Sequence, residues 1–238
     1  MTAAAPPPSQ RTRIKICGLT REQDVDCAVE AGADAIGFVL YPPSPRYVTA
    51  TRAAELARRL PPFVTPVLLF VNEPAEAVRA AVDQVPNALL QFHGDETPQD
   101  CDAAAAGRPY LRAARIPTEA SHGFDLVEFT SRHRRASAIL VDALVEGYGG
   151  GGKAFDWSRL PQSVNAHLVL SGGLAPANVG DGIVQVRPRC KSLAVDVSSG
   201  VESAKGVKDP DKIHRFVAAV RAADALLARS PHALLSAA

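Results

Sequence analysis

At 238 residues, with 47% hydrophobic and 21% charged side chains, the chain has enough apolar material for a sizeable core and fits one α/β barrel or two small domains, the single domain being favoured. A formal net charge of +1 gives no bulk attraction for nucleic acid or acidic membranes, and no apolar run is long enough to cross a bilayer. Neither kind of partner is expected, so an anionic ligand has to be held by local groups.

Residues 1–12, opening Met1-Thr2-Ala3-Ala4-Ala5-Pro6-Pro7-Pro8, read as a disordered arm that lacks the basic and apolar regions of a signal peptide. With four scattered cysteines and no CxxC pair, a reduced, cytoplasmic protein is expected. Cys27 and Cys101 fall in helical patterns and Cys190 in a Pro/Arg-rich loop, all three reading as structural thiols.

From Arg13 onward, aliphatic runs alternate with amphipathic helical patterns. Strands are predicted at Arg13–Cys17, Asp34–Val39, Thr65–Val71, Ala88–His93, Tyr110–Arg115, Ala138–Asp142, His167–Ser171 and Ser192–Val197. Helices are predicted at Glu22–Ala31, Ala50–Leu60, Pro74–Val85, Pro98–Ala106, Ala175–Val186 and Pro210–Leu227. Eight strands in βαβα order predict a single-domain (β/α)8 barrel over residues 13–228, leaving 229–238 as a C-terminal tail. A doubly wound sheet is the alternative, but Cys17-Gly18-Leu19-Thr20 is no dinucleotide-binding turn. The pattern weakens over residues 116–137, which contain the basic cluster Arg132-His133-Arg134-Arg135, and over the glycine loop of Val145–Trp157. Crossover helices there are expected to be short or missing.

In a parallel barrel the functional groups gather at the C-terminal strand ends. The first strand ends in Cys17, the fourth in His93 and the sixth in Asp142. The strongest local signal is the pair of glycine-containing loops after the last two strands, Ser171-Gly172-Gly173-Leu174 and Asp196-Val197-Ser198-Ser199-Gly200, where backbone N–H groups can cradle a phosphate. Cys17 and Asp142 lie nearly across the barrel and suit proton transfer, although an Asp at a strand end is also commonly a cap or an ion-pair partner. Arg46 follows a rigid Pro42-Pro43-Ser44-Pro45 segment and suits a carboxylate or sugar oxygen, a plain surface arginine being the other reading. His93 either supports the ligand or is a satisfied core histidine.

Strand parity points Lys15 inward with Cys17, where a buried ammonium needs a partner. Strand eight closes beside strand one, so a Lys15–Asp196 pair is predicted, with the positive charge drawing the Cys17 pKa down from about 8.5. No metal-ligand spacing, P-loop or nucleophile elbow occurs, and cofactor-free chemistry is expected.

Seven motifs in order then carry a resemblance. Lys15-Ile16-Cys17-Gly18-Leu19-Thr20, Ser44-Pro45-Arg46, Gln91-Phe92-His93-Gly94, Gly149-Gly150-Gly151-Gly152-Lys153, Phe155-Asp156-Trp157, Ser171-Gly172-Gly173-Leu174 and Asp196-Val197-Ser198-Ser199-Gly200-Val201-Glu202 resemble the N-(5′-phosphoribosyl)anthranilate isomerase family of tryptophan biosynthesis, over about Arg13 to Val220. The resemblance implies an Amadori rearrangement with Cys17 as general base and Asp142 as general acid. It further implies that Arg46 orients the anthranilate end and that Gly173, Ser199 and Gly200 hold the phosphate. The ligand-facing set is then Arg46, His93, Gly172, Gly173, Asp196, Ser198, Ser199 and Gly200, with Lys15 in support. Departures from the family pattern are Gly151 where Thr or Ser is usual, Phe92 where Leu is usual, and the two terminal extensions.

Two alternatives remain. A histidine-pathway phosphoribosyl sugar isomerase, or a bifunctional barrel, resembles a two-carboxylate site with a second phosphate loop, whereas here the first strand offers Cys17 and His93-Gly94-Asp95-Glu96 is acidic. A non-catalytic phosphosugar-binding barrel would keep the loops and lose the acid–base pair. The sequence does not fix the oligomeric state, and a monomer is the simplest expectation.

Overall fold

A computed structural model describes residues 11–117, 124–144 and 156–229. Eight parallel strands close a barrel in chain order: β1 (Arg13–Cys17), β2 (Ala35–Val39), β3 (Thr65–Phe70), β4 (Leu89–Phe92), β5 (Tyr110–Pro117), β6 (Ala138–Leu144), β7 (Val164–Leu170) and β8 (Cys190–Val197). Outside them lie α1 (Glu22–Glu30), α2 (Ala50–Ala57), α3 (Ala75–Gln84), α4 (Pro98–Ala105), α5 (Leu126–Arg132), α6 (Val179–Val186) and α7 (Pro210–Arg229). The predicted (β/α)8 barrel is the observed architecture.

Local sequence explains the element starts. Thr97 opens α4 with a capping box, its hydroxyl accepting from Asp100 N–H while the Asp100 carboxylate accepts from Thr97 N–H, and Pro98 occupies the first turn. Asp125 caps α5 by accepting from the N–H groups of Val127 and Glu128. That seven-residue helix is the short fifth crossover anticipated from sequence. In the described part of the sixth crossover, the helical piece is a three-residue 3-10 turn, Trp157–Arg159, capped by Asp156. The glycine loop Gly147–Gly152, with the Gly149–Lys153 motif, and residues 118–123 lie outside the described residues, as do 1–10 and 230–238.

Several details differ from expectation. Cys190 is the first residue of β8, not a loop residue. β7 begins at Val164, three residues before the predicted His167, because the polar Asn165 and His167 sit on its exposed lower end. A hairpin of β9 (Glu202–Ala204) and β10 (Val207–Lys208) follows β8 and was not anticipated. Thr12, assigned to the disordered arm, is buried: its N–H donates to Asp224 at 2.9 Å, and Arg221 donates to its carbonyl at 3.0 Å.

The main core lies between the strands and the helical layer, where Ile14, Ile16, Phe38, Leu68, Leu90, Val195 and Phe216 are fully buried. Each such side chain contributes roughly 1.5–3 kcal/mol by burial. Inside the barrel the apolar filling is split. Leu111, Ala113, Leu140 and Val169 form one cluster and Cys17, Val39, Leu69 and Val71 another, while Lys15, Gln91 and Asp196 are buried polar residues of the same inward parity. A polar tier inside a sealed barrel is costly unless each member is paired, so the positions of these residues are fixed by their partners. Among the described residues no helix is long and apolar enough to cross a membrane.

Candidate active site

The parallel register puts Lys15 opposite Asp196 on β8 and Cys17 opposite Gly37 on β2. Lys15 Nζ meets Asp196 Oδ1 at 2.8 Å with both groups buried, the pairing expected from strand parity. Ser171 Oγ donates to the other carboxylate oxygen at 3.2 Å. Gly37 creates the room: a Cβ there would fall 2.7 Å from Cys17 Sγ and 3.0 Å from Lys15 Nζ, so any larger residue would displace the thiol or the ammonium.

The effect of this ammonium on Cys17 departs from expectation. Burial pushes the Cys17 thiol up from its ordinary value, and Asp196 adds to that; Lys15 and Lys208 pull it down but do not prevail. The predicted lowering is therefore corrected to a net rise, because sealing the thiol in the barrel outweighs the nearby charge. For Lys15 burial works against the charged form, yet Asp196 and Cys17 raise its pKa well above the usual ammonium range.

Asp142 lies within β6, which runs two residues past the end predicted for it, to Leu144, because Ala143 and Leu144 continue the pairing with β5. Its Oδ1 accepts from Ala143 N–H at 2.8 Å and its Oδ2 lies 3.0 Å from His93 Nε2. The other ring nitrogen, Nδ1, lies 2.9 Å from Gln91 Nε2, so both nitrogens of His93 have protein partners. Gly172, with φ +77°, passes so close that a Cβ would sit 2.6 Å from Asp142 Oδ1.

Arg46 is no surface arginine. It is 7% exposed and forms a fork on Glu202, Nε to Oε1 and Nη2 to Oε2, each at 2.7 Å. Lys208 Nζ reaches the same carboxylate at 2.9 Å and also donates to Ser198 O at 3.0 Å. Glu202 and Lys208 both come from the β9–β10 hairpin, and Lys208 faces Cys17 closely enough to act on its charge. Burial opposes ionisation of Glu202, but Arg46 and Lys208 hold its carboxyl below the ordinary range. Burial likewise drives Lys208 below the usual ammonium value despite Glu202. Neither hairpin residue was singled out from sequence, although the Lys205-Gly206 turn, with Gly206 at φ +78°, is the signal that marks the hairpin.

Cys17, Arg46, His93, Asp142, Ser171, Asp196 and Ser198 all line one cavity of about 250 Å³, whose outer wall is Tyr41, Pro43, Ser44 and Pro45. The two glycine loops meet beside it: a Cβ at Gly200 would fall 1.9 Å from the carbonyl oxygen of Leu174. Asn178 fixes the first of these loops by donating to Gly173 O at 3.0 Å and accepting from Ala175 N–H at 2.8 Å. Around the cavity three buried cations, Lys15, Arg46 and Lys208, face two paired carboxylates, Asp196 and Glu202. The surplus positive charge, from Lys15 and Lys208, favours the Cys17 thiolate and offsets part of the burial that opposes it. No cluster of three or more His, Cys, Asp or Glu is placed to hold a metal among the described residues.

A closed parallel barrel with a thiol and a carboxyl facing one positively biased cavity at its mouth is a (β/α)8 enzyme equipped for proton transfer. Comparison with known proteins narrows this class. Residues 14–219 match the family described as N-(5'phosphoribosyl)anthranilate (PRA) isomerase. The N-(5'-phosphoribosyl)anthranilate isomerase of Methylibium petroleiphilum is 63% identical over 220 residues, covering 92% of this chain and 99% of that one. The crystal structure of the Thermotoga maritima enzyme superposes with a TM-score of 0.75 at 39% identity, covering 89% and 99% of the two chains. A further solved isomerase, in complex with reduced 1-(o-carboxyphenylamino)-1-deoxyribulose 5-phosphate, gives 0.72 at 37% identity with the same coverage. The chain belongs to the N-(5'-phosphoribosyl)anthranilate isomerase family. Its activity is the Amadori rearrangement of tryptophan biosynthesis, N-(5-phosphoribosyl)anthranilate to 1-(2-carboxyphenylamino)-1-deoxyribulose 5-phosphate.

Proposed function

We propose that Cys17 and Asp142 carry this rearrangement as base and acid, the observation behind it being that both line the same cavity, one from β1 and the other from β6. Asp142 protonates the furanose ring oxygen; the C1′–O bond breaks as the anthranilate nitrogen lone pair forms the iminium. The Cys17 thiolate removes the C2′ proton, and the C–H electrons form the C1′–C2′ double bond while the iminium electrons return to nitrogen. The enolamine then tautomerises to the ketone.

Arg46 offers its remaining Nη1 edge to the anthranilate carboxylate, since Nε and Nη2 are committed to Glu202. Gly172, Gly173, Ser198, Ser199 and Gly200 take the 5′-phosphate where the two loops meet. In support, the ligand of the solved complex carries both a carboxylate and a phosphate. Each residue in this reading comes from one chain, and the working unit is taken as a single barrel in the cytoplasm, without nucleic-acid or membrane partners. The test is turnover of phosphoribosylanthranilate, followed by loss of anthranilate fluorescence, in Cys17→Ala and Asp142→Asn. Near-abolished kcat with an intact fold is expected for both. Retention of most of the kcat by either variant would remove that residue from its role.

A further inference from the structure

We infer that Gln91 is a positioning residue for the acid step, its amide N–H fixing His93 in the tautomer that donates to Asp142. The inference rests on the reading of Asp142 as the acid. Gln91 points into the barrel from β4 and is fully buried. Its Nε2 lies 2.9 Å from His93 Nδ1, and His93 Nε2 lies 3.0 Å from Asp142 Oδ2. An amide nitrogen only donates, so Nδ1 accepts and the ring proton sits on Nε2, directed at the carboxyl.

This orientation serves both states of the acid. A protonated Asp142 can release its proton to the ring oxygen while accepting from Nε2–H, and the carboxylate that remains keeps the same donor, which stabilises the charge as it develops. The reversed amide would place Oε1 on Nδ1–H and turn the Nε2 lone pair toward Asp142. That arrangement satisfies the protonated acid but sets a lone pair against the carboxylate once the proton has gone.

Stability does not explain the residue. Gln91 Oε1 is buried with no hydrogen-bond partner among the described residues, so the barrel carries an unsatisfied polar atom at this position. Its inward neighbours in register are Leu69 and Leu111, an environment that a leucine would fill. A group kept in place at a cost to stability is the signature of function.

Gln91→Leu and Gln91→Met therefore separate the two roles. The expected result is kcat about tenfold lower, the size of one net buried hydrogen bond, with KM within about twofold and thermal stability unchanged or higher. A merely structural glutamine would lower stability and leave the kcat of the folded enzyme alone. Nitrogen NMR of the wild-type His93 ring provides a readout without any variant: Nε2 carries the proton and Nδ1 does not. An Nδ1–H tautomer, or an unaltered kcat in both variants, overturns the proposal. Asp142→Asn in the same assay distinguishes the failures, because full turnover there removes the acid assignment, whereas lost turnover there with normal Gln91 variants overturns the role of Gln91 alone.

Discussion

Replacing Lys15 by Met removes the ammonium that faces Cys17 and leaves Asp196 with Ser171 but without its counter-charge. The thiol sulfur and Lys15 Nζ crowd the same point on Gly37, which places them within about 6 Å of each other. A unit charge pair at that separation, with an effective dielectric of about 20, is worth about 3 kcal/mol, or about two pKa units. Cys17 already sits above its ordinary value through burial, and the loss of Lys15 together with the uncompensated charge of Asp196 drives it higher. The basic limb of the kcat/KM profile is expected to move up by about two units, with the neutral-pH rate about a hundredfold lower. The double variant Lys15→Met with Asp196→Asn removes the unpaired carboxylate and should recover part of that shift. The assay is the pH profile of turnover alongside the pH dependence of inactivation by iodoacetamide. If both profiles coincide with wild type in Lys15→Met, the thiolate owes nothing to Lys15 and the electrostatic reasoning fails.

Gly37→Ala puts a methyl 2.7 Å from Cys17 Sγ, so kcat is expected to fall about a hundredfold with an unchanged circular dichroism spectrum; normal turnover would show that the thiol tolerates displacement. Glu202→Gln unpins Arg46 and leaves Lys208 without its counter-charge, so KM should rise more than kcat falls and stability should drop by about 3–5 kcal/mol, read by urea unfolding. His133, 5% exposed, has its pKa pushed down to about 4 by burial and then by Arg112 and Arg132. It is neutral when folded, and its contribution is fully present above the unfolded pKa of about 6.5 and lost as pH falls toward 4, amounting to about 3 kcal/mol. His133→Phe should flatten that part of the stability profile, and an equally steep slope in the variant would assign it to other groups.

The strands were readable because a barrel buries both faces: runs such as Val67-Leu68-Leu69-Phe70-Val71 stay apolar and give way to a polar residue, here Asn72. Parity on β1 was enough to pair Lys15 with Asp196. The sign of the Cys17 shift was not readable, because it depends on how completely the thiol is sealed, and burial is a property of the closed barrel. The β9–β10 hairpin escaped because strands of three and two residues are too short to show a period; Lys208 was missed with it, and Glu202 closed a motif without a role being read for it. Gln91 was visible within a motif, but its importance lies in the direction of one amide N–H, which residue type does not reveal.

Thr12, ahead of β1, is bound to Asp224 near the end of α7, with Arg187 donating to both. This clasp joins residues 212 positions apart in sequence and sits at the N-terminal ends of the strands, opposite the cavity mouth. The entry to β1 and the end of α7 are therefore neighbours on the face turned away from the chemistry. The barrel can be re-cut by linking these two points and opening a surface loop elsewhere, and a second protein can be fused at either of them without obstructing the substrate's route.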